Sequence, residues 1–116
     1  MRGARFGRLS AGIPDLPQHD ERFDTLIAAE GVRVERIVST GQASPPGFWY
    51  DQGWDEFVLV TSGAAGLEIE GEPVRRLDPG DWAHIPAHVR HRVAWTDREA
   101  ATIWLAVHLP PGPEAP

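Results

Sequence analysis

Three histidines, His84, His88 and His91, surround a bend at Pro86 in the run Pro79-Gly80-Asp81-Trp82-Ala83-His84-Ile85-Pro86-Ala87-His88-Val89-Arg90-His91. Neutral imidazole is the commonest metal ligand, and a turn lets imidazoles converge that a straight strand holds apart. Pro-Gly-Asp reads as a tight turn leading into a strand. Ile-Pro-Ala-His reads as a second bend, because proline cannot donate to a β-ladder. The chain has no cysteine, and all 11 of its basic residues are arginine. Thiol catalysis, disulfides, thiolate metal sites and Schiff-base chemistry on lysine are therefore excluded, leaving oxygen and nitrogen ligation.

The elements that must position these groups are mostly short strands. Residues 1–19 form an arm broken by Pro14 and Pro17. A short helix is predicted over 20–31: Asp20 caps it, Phe23, Leu26 and Ile27 share a face, and Gly31 supplies a left-handed stop. From Val32 the apolar period changes to two. Strands are predicted at Val32 to Val38, Glu56 to Thr61, Leu67 to Glu70, Val74 to Leu77, Trp82 to Ile85, Arg90 to Trp95 and Ala101 to Leu109. Gly/Pro turns at nearly regular spacing between them predict an all-β antiparallel sandwich or barrel of the jelly-roll kind. Residues 110–116 form a tail.

The same residues resemble the two motifs of the cupin superfamily. Gly80, Pro86 and His91 stand in register with the second motif, G(X)5PXG(X)2H(X)3N, with His88 replacing its second glycine and Trp95 its final asparagine. Glu56 and Gly63 match the end of the first motif, G(X)5HXH(X)3-4E(X)6G. Tyr50-Asp51-Gln52 occupies the place of its His-X-His pair, and Ser44 replaces its leading glycine. The resemblance covers roughly residues 32 to 109 and is narrower still to small single-domain bacterial cupins. It implies a single cupin-type barrel over 32–109, a small organic ligand inside it, and a homodimer.

A cupin site would draw on the residues at the motif positions. Tyr50, Gln52 and Glu56 share strand parity if the strand runs unbroken through Gly53, and His91, Val93 and Trp95 share parity on theirs. Arg90 and Arg92 then face the other way. The metal reading takes Gln52, Glu56 and His91 as ligands to a divalent ion (iron, manganese, nickel or zinc), with the neutral amide of Gln52 a weak donor. His88 is a further ligand, a proton shuttle or an exposed turn residue. Tyr50 is a general acid, a hydrogen-bond donor to substrate, or a partner for Gln52 in a metal-free pocket. Trp95 is expected in the pocket wall. His108 either reaches the interior from the far wall or packs as a core histidine, and His84 is expected at a sheet surface or a subunit contact.

Net charge is -6, which disfavours a nucleic-acid partner, since binding the phosphate backbone needs a basic field. No apolar run approaches the roughly 18 residues of a membrane span, and the expected location is cytoplasmic. Two functions fit. One is a metal-dependent oxygenase, isomerase or lyase acting on a small molecule. The other is a metal-free binding or sensing module.

Overall fold

The structure, a computed structural model, describes residues 3–15 and 17–113. The remaining positions of the predicted arm and tail lie outside the described residues. Eight strands are described: β1 (Arg22–Ala29), β2 (Val32–Ser39), β3 (Asp55–Ser62), β4 (Ala65–Ile69), β5 (Arg75–Leu77), β6 (Trp82–Ile85), β7 (His91–Thr96) and β8 (Thr102–Leu109). They form an antiparallel five-stranded sheet, β1-β2-β8-β3-β6, facing a three-stranded sheet, β5-β4-β7. This is the all-β jelly roll expected from the alternating pattern and the Gly/Pro turns. No described helix is long and apolar enough to cross a membrane.

The helix predicted over 20–31 is absent. Its residues form β1, an edge strand paired with β2 from Arg22↔Val38 to Ala29↔Val32. The register slips between Thr25 and Ile27, so Leu26 is an extra residue in a β-bulge. Phe23 faces the space between the sheets, whereas the bulge turns Leu26 and Ile27 to the opposite face beneath the arm, so the residues that read as one helical stripe are divided between two faces of an edge strand. Gly31 does adopt a left-handed conformation, φ 73. It turns a hairpin between β1 and β2 instead of stopping a helix.

The core lies between the sheets. Val58 and Val60 of β3 pack with Ala65 and Leu67 of β4, Leu77, Ile85, and Trp104 and Ala106 of β8. Phe57, on the opposite face of β3, stacks outside on Trp82 with ring centroids 5.8 Å apart. The Pro79-Gly80-Asp81 turn forms as expected: the Asp81 N–H donates to the Asp78 carbonyl (2.9 Å) and the Gly80 N–H to the Val60 carbonyl (2.7 Å). On the outer face of β2, Arg36 donates to Asp24 of β1 and to the backbone carbonyls of Leu9 and Ala11, fastening the arm over the hairpin.

Candidate functional site in the barrel

Beside the core residues Val58, Leu67, Ile85 and Trp104 the space between the sheets is left unfilled. It is a cavity of about 120 Å³, and its polar lining includes Glu21, Glu35, Tyr50, Gln52, Glu56, His91 and His108. Its apolar lining includes Phe23, Ile37, Val93 and Trp104.

Glu56 and His108 face each other as cross-strand partners in the β3–β8 ladder. The His108 Nε2 lies 2.7 Å from Glu56 Oε2 and 3.6 Å from Glu35 Oε1. Burial pushes the Glu56 carboxyl above the usual range, opposed by the nearby imidazoles of His108 and His91. The His108 ring is tilted against Trp54, 5.3 Å between centroids. His108 therefore does reach the interior, from the neighbouring strand.

His91 is 4% exposed. Its Nδ1 lies 2.8 Å from the Val89 carbonyl, and a carbonyl can only accept, so Nδ1 carries a proton. In the neutral ring Nε2 is then a free lone pair. No hydrogen bond to Nε2 is found among the described residues. The ring stacks on Tyr50, 5.4 Å between centroids and 24° between planes.

Tyr50 and Gln52 reach the cavity without the continuous strand that parity assumed. The chain bends at Gly53 and Trp54 before β3 begins. The segment before the bend instead runs alongside β7: Tyr50 N–H donates to the His91 carbonyl (2.7 Å), and His91 N–H returns the bond to Tyr50 (3.1 Å). Burial raises the Tyr50 phenol above its ordinary value, and the charges of Glu21 and Glu56 add to the effect.

Trp95 is not in the pocket wall. The β4–β7 register slips between Gly66↔Trp95 and Leu67↔Val93, leaving Ala94 as a bulge that reverses the parity beyond Val93. The indole lies over Gly66, where a Cβ would stand 2.1 Å from its Nε1. The Arg76 guanidinium sits 5.4 Å from the ring centroid. His88 is also outside the cavity lining. It occupies the bend with φ 65, largely exposed, its Nδ1 2.8 Å from Asp51 Oδ1. Arg90 and Arg92 face outward, paired with Glu70 and Glu68.

Sequence reasoning missed Glu21, Glu35 and Asp55. Glu35 shares parity with Ile37, a signal that it faces inward. Glu21 accepts a hydrogen bond from the Ser39 hydroxyl, and Ser39 Oγ accepts one from Trp104 Nε1 at 3.1 Å. Burial raises the Glu21 carboxyl despite that bond. Asp55 anchors the start of β3: it accepts from Ala87 N–H (2.9 Å) and Gly112 N–H (3.3 Å) and pairs with His84 Nε2 (3.0 Å). The Ala87 bond, then His84, lowers its carboxyl below the usual range.

The expected metal ligands Gln52, Glu56 and His91 line one cavity. They do not form a ready ion site: among the described residues no three His, Asp or Glu side chains are gathered in ligating geometry. The Glu56 carboxylate is engaged by His108, and Gln52 offers only a neutral oxygen.

Comparison with known proteins fits this architecture. A cupin domain family model matches residues 35–108. A crystal structure from Ralstonia eutropha JMP134, described as a "putative mannose-6-phosphate isomerase", superposes with a TM-score of 0.90 at 54% identity, covering 92% of this chain and 99% of that one. A protein of unknown function from Streptococcus pyogenes gives a TM-score of 0.73 at 19% identity, covering 97% and 93%. An RmlC-like cupin from Methanocaldococcus jannaschii gives 0.67 at 17% identity, covering 95% and 91%. A search of the curated proteins found no match. The family match spans most of the chain, and the Ralstonia protein is alike over nearly its full length, so this chain belongs to the cupin domain family.

Proposed function

We propose that the protein binds a small organic molecule inside the barrel, with Tyr50, Glu56, His91 and His108 making its polar contacts. One observation carries this reading. The lone pair of a buried imidazole, His91 Nε2, and a buried carboxylate–imidazole pair, Glu56 with His108, line the same cavity. Buried polar groups are normally satisfied, and a ligand with hydrogen-bond donors would complete His91. The same groups suit proton transfer, His91 as acceptor and Glu56–His108 as a pair able to hold or return a proton. The isomerase name of the Ralstonia relative agrees with chemistry of that kind.

A fragment library screened by ligand-observed NMR tests this. Hits bound by the native protein should lose at least roughly tenfold in affinity in His91→Ala and Glu56→Gln, while circular dichroism stays native. Hits bound equally well by both variants would place the ligand elsewhere.

One feature favours a second reading, in which a divalent ion occupies the cavity. A ring whose Nδ1 is fixed by a backbone carbonyl is oriented as metal-bound imidazoles are. Protein purified without a nickel column should then take up one equivalent of iron, manganese, nickel or zinc, and lose it in Glu56→Ala. If fragment binding survives chelation, the metal-free reading stands. The homodimer expected of a cupin is checked by sedimentation, and a monomer at micromolar concentration would contradict it.

A further inference from the structure

Building on the ligand pocket proposed above, we infer that the cavity selects a small organic cation, a protonated amine, over neutral and anionic molecules of the same shape. Three carboxylates, Glu21, Glu35 and Glu56, line the cavity, and no arginine does so among the described residues. The guanidinium groups are committed elsewhere. Arg36 is held by Asp24 on the outer face, and Arg90 and Arg92 by Glu70 and Glu68.

The carboxylates alone would not define a site, but two side chains more than nine-tenths buried are left incomplete there. Glu35 is 7% exposed, and its carboxylate has only a long contact, 3.6 Å, to the His108 imidazole, with no hydrogen bond among the described residues. His91, at 4% exposure, leaves Nε2 without a partner. Both are acceptors, and an ammonium group is a pure donor with three protons to give. Two imidazoles, His91 and His108, stand against three carboxylates, so acidic groups outnumber basic ones in the lining. An anion entering here would add to that excess, whereas a cation relieves it. Burial holds the Glu21 and Glu56 carboxyls above their ordinary range, and a cation bound beside them would favour their ionised forms. Phe23, Tyr50 and Trp104 supply aromatic surface, which attracts cations through the negative faces of the rings.

Size points the same way. A cavity of about 120 Å³ is on the order of the ~150 Å³ engineered cavity that admits one benzene. A hexose phosphate is larger and dianionic, and the lining offers its phosphate no guanidinium. The cation reading therefore separates this chain from the sugar-phosphate substrate named for its Ralstonia relative.

Isobutylammonium, isobutanol and isobutyrate share one carbon frame and differ in charge. Each is titrated into the full-length native protein, together with mannose 6-phosphate, and the side-chain nitrogen resonance of His91 locates binding. Isobutylammonium should bind at least roughly tenfold more tightly than isobutyrate and more tightly than isobutanol, and mannose 6-phosphate should leave His91 unmoved. Glu35→Gln should abolish the preference for ammonium over alcohol; the ranking on native protein stands if that variant does not fold. Equal binding of the three at His91, or a preference for isobutyrate, would overturn the charge selection and leave the ligand pocket standing. No response of His91 to any of them would overturn both.

Discussion

His88, outside the cavity, and Glu21, in its lining, each give a residue-level test. His88 stands where the family motif has glycine, and it adopts the left-handed conformation a glycine would take, φ 65. That conformation costs a non-glycine residue about 1–2 kcal/mol, and its exposed pairing with Asp51 returns about 0–1 kcal/mol. His88→Gly should therefore stabilise the protein by about 0.5–1 kcal/mol in denaturant titration and leave ligand affinity unchanged. Lost affinity would bring His88 into the site. Glu21 gives a pH signature. Its carboxyl is raised above 4.5 by burial, so the folded state holds this proton more tightly than the unfolded chain. Stability tied to Glu21 then falls as pH climbs from 4.5 through the raised value. Melting temperatures of Glu21→Gln and native protein, compared from about pH 4 to about pH 8, should diverge in favour of the variant as pH rises. A constant difference would mean that the carboxyl titrates normally.

At the scale of elements, two bulges decide what could be read from the chain. Most strands were legible, because Gly/Pro turns bound short alternating runs and Trp82 to Ile85 was delimited on both sides. The extra residue at Leu26 divides the apparent helical stripe between two faces of edge strand β1, and the extra residue at Ala94 turned Trp95 out of the cavity. A bulge belongs to strand pairing, so alternation along one strand does not reveal it. The pairing of Glu56 with His108 was hidden for the same reason: it follows from the β3–β8 register, which joins residues far apart in sequence. His91, Glu56, Tyr50 and Gln52 were legible as cavity residues through their motif positions. Gly66 tests the second bulge. Its position opposite Trp95 leaves no room for a methyl group, since a Cβ would lie 2.1 Å from the indole nitrogen. Gly66→Ala should displace the indole, shift tryptophan fluorescence and cost about 1–3 kcal/mol. A native melting temperature would contradict the packing.

For the whole molecule, the unequal sheets enclose an apolar core and, directly beside it, a cavity with polar side chains set in its lining. Segments far apart in sequence each bring one or two groups to that cavity: Glu21 before β1, Glu35 on β2, Tyr50 and Gln52 beside β7, Glu56 on β3, His91 on β7 and His108 on β8. Only closure of the barrel assembles them, so occupancy of the cavity is linked to folding and a bound ligand raises global stability. Nitrogen-15 NMR of the histidine side chains during titration with isobutylammonium tests the central claim most directly. His19, His84 and His88 are exposed and serve as internal controls, with side-chain exposures of 97%, 52% and 73%. The account predicts that His91 carries its proton on Nδ1 in the neutral ring, and that His91 and His108 shift saturably while the three controls stay still. A proton on Nε2 of neutral His91, or shifts confined to the exposed histidines, would contradict it.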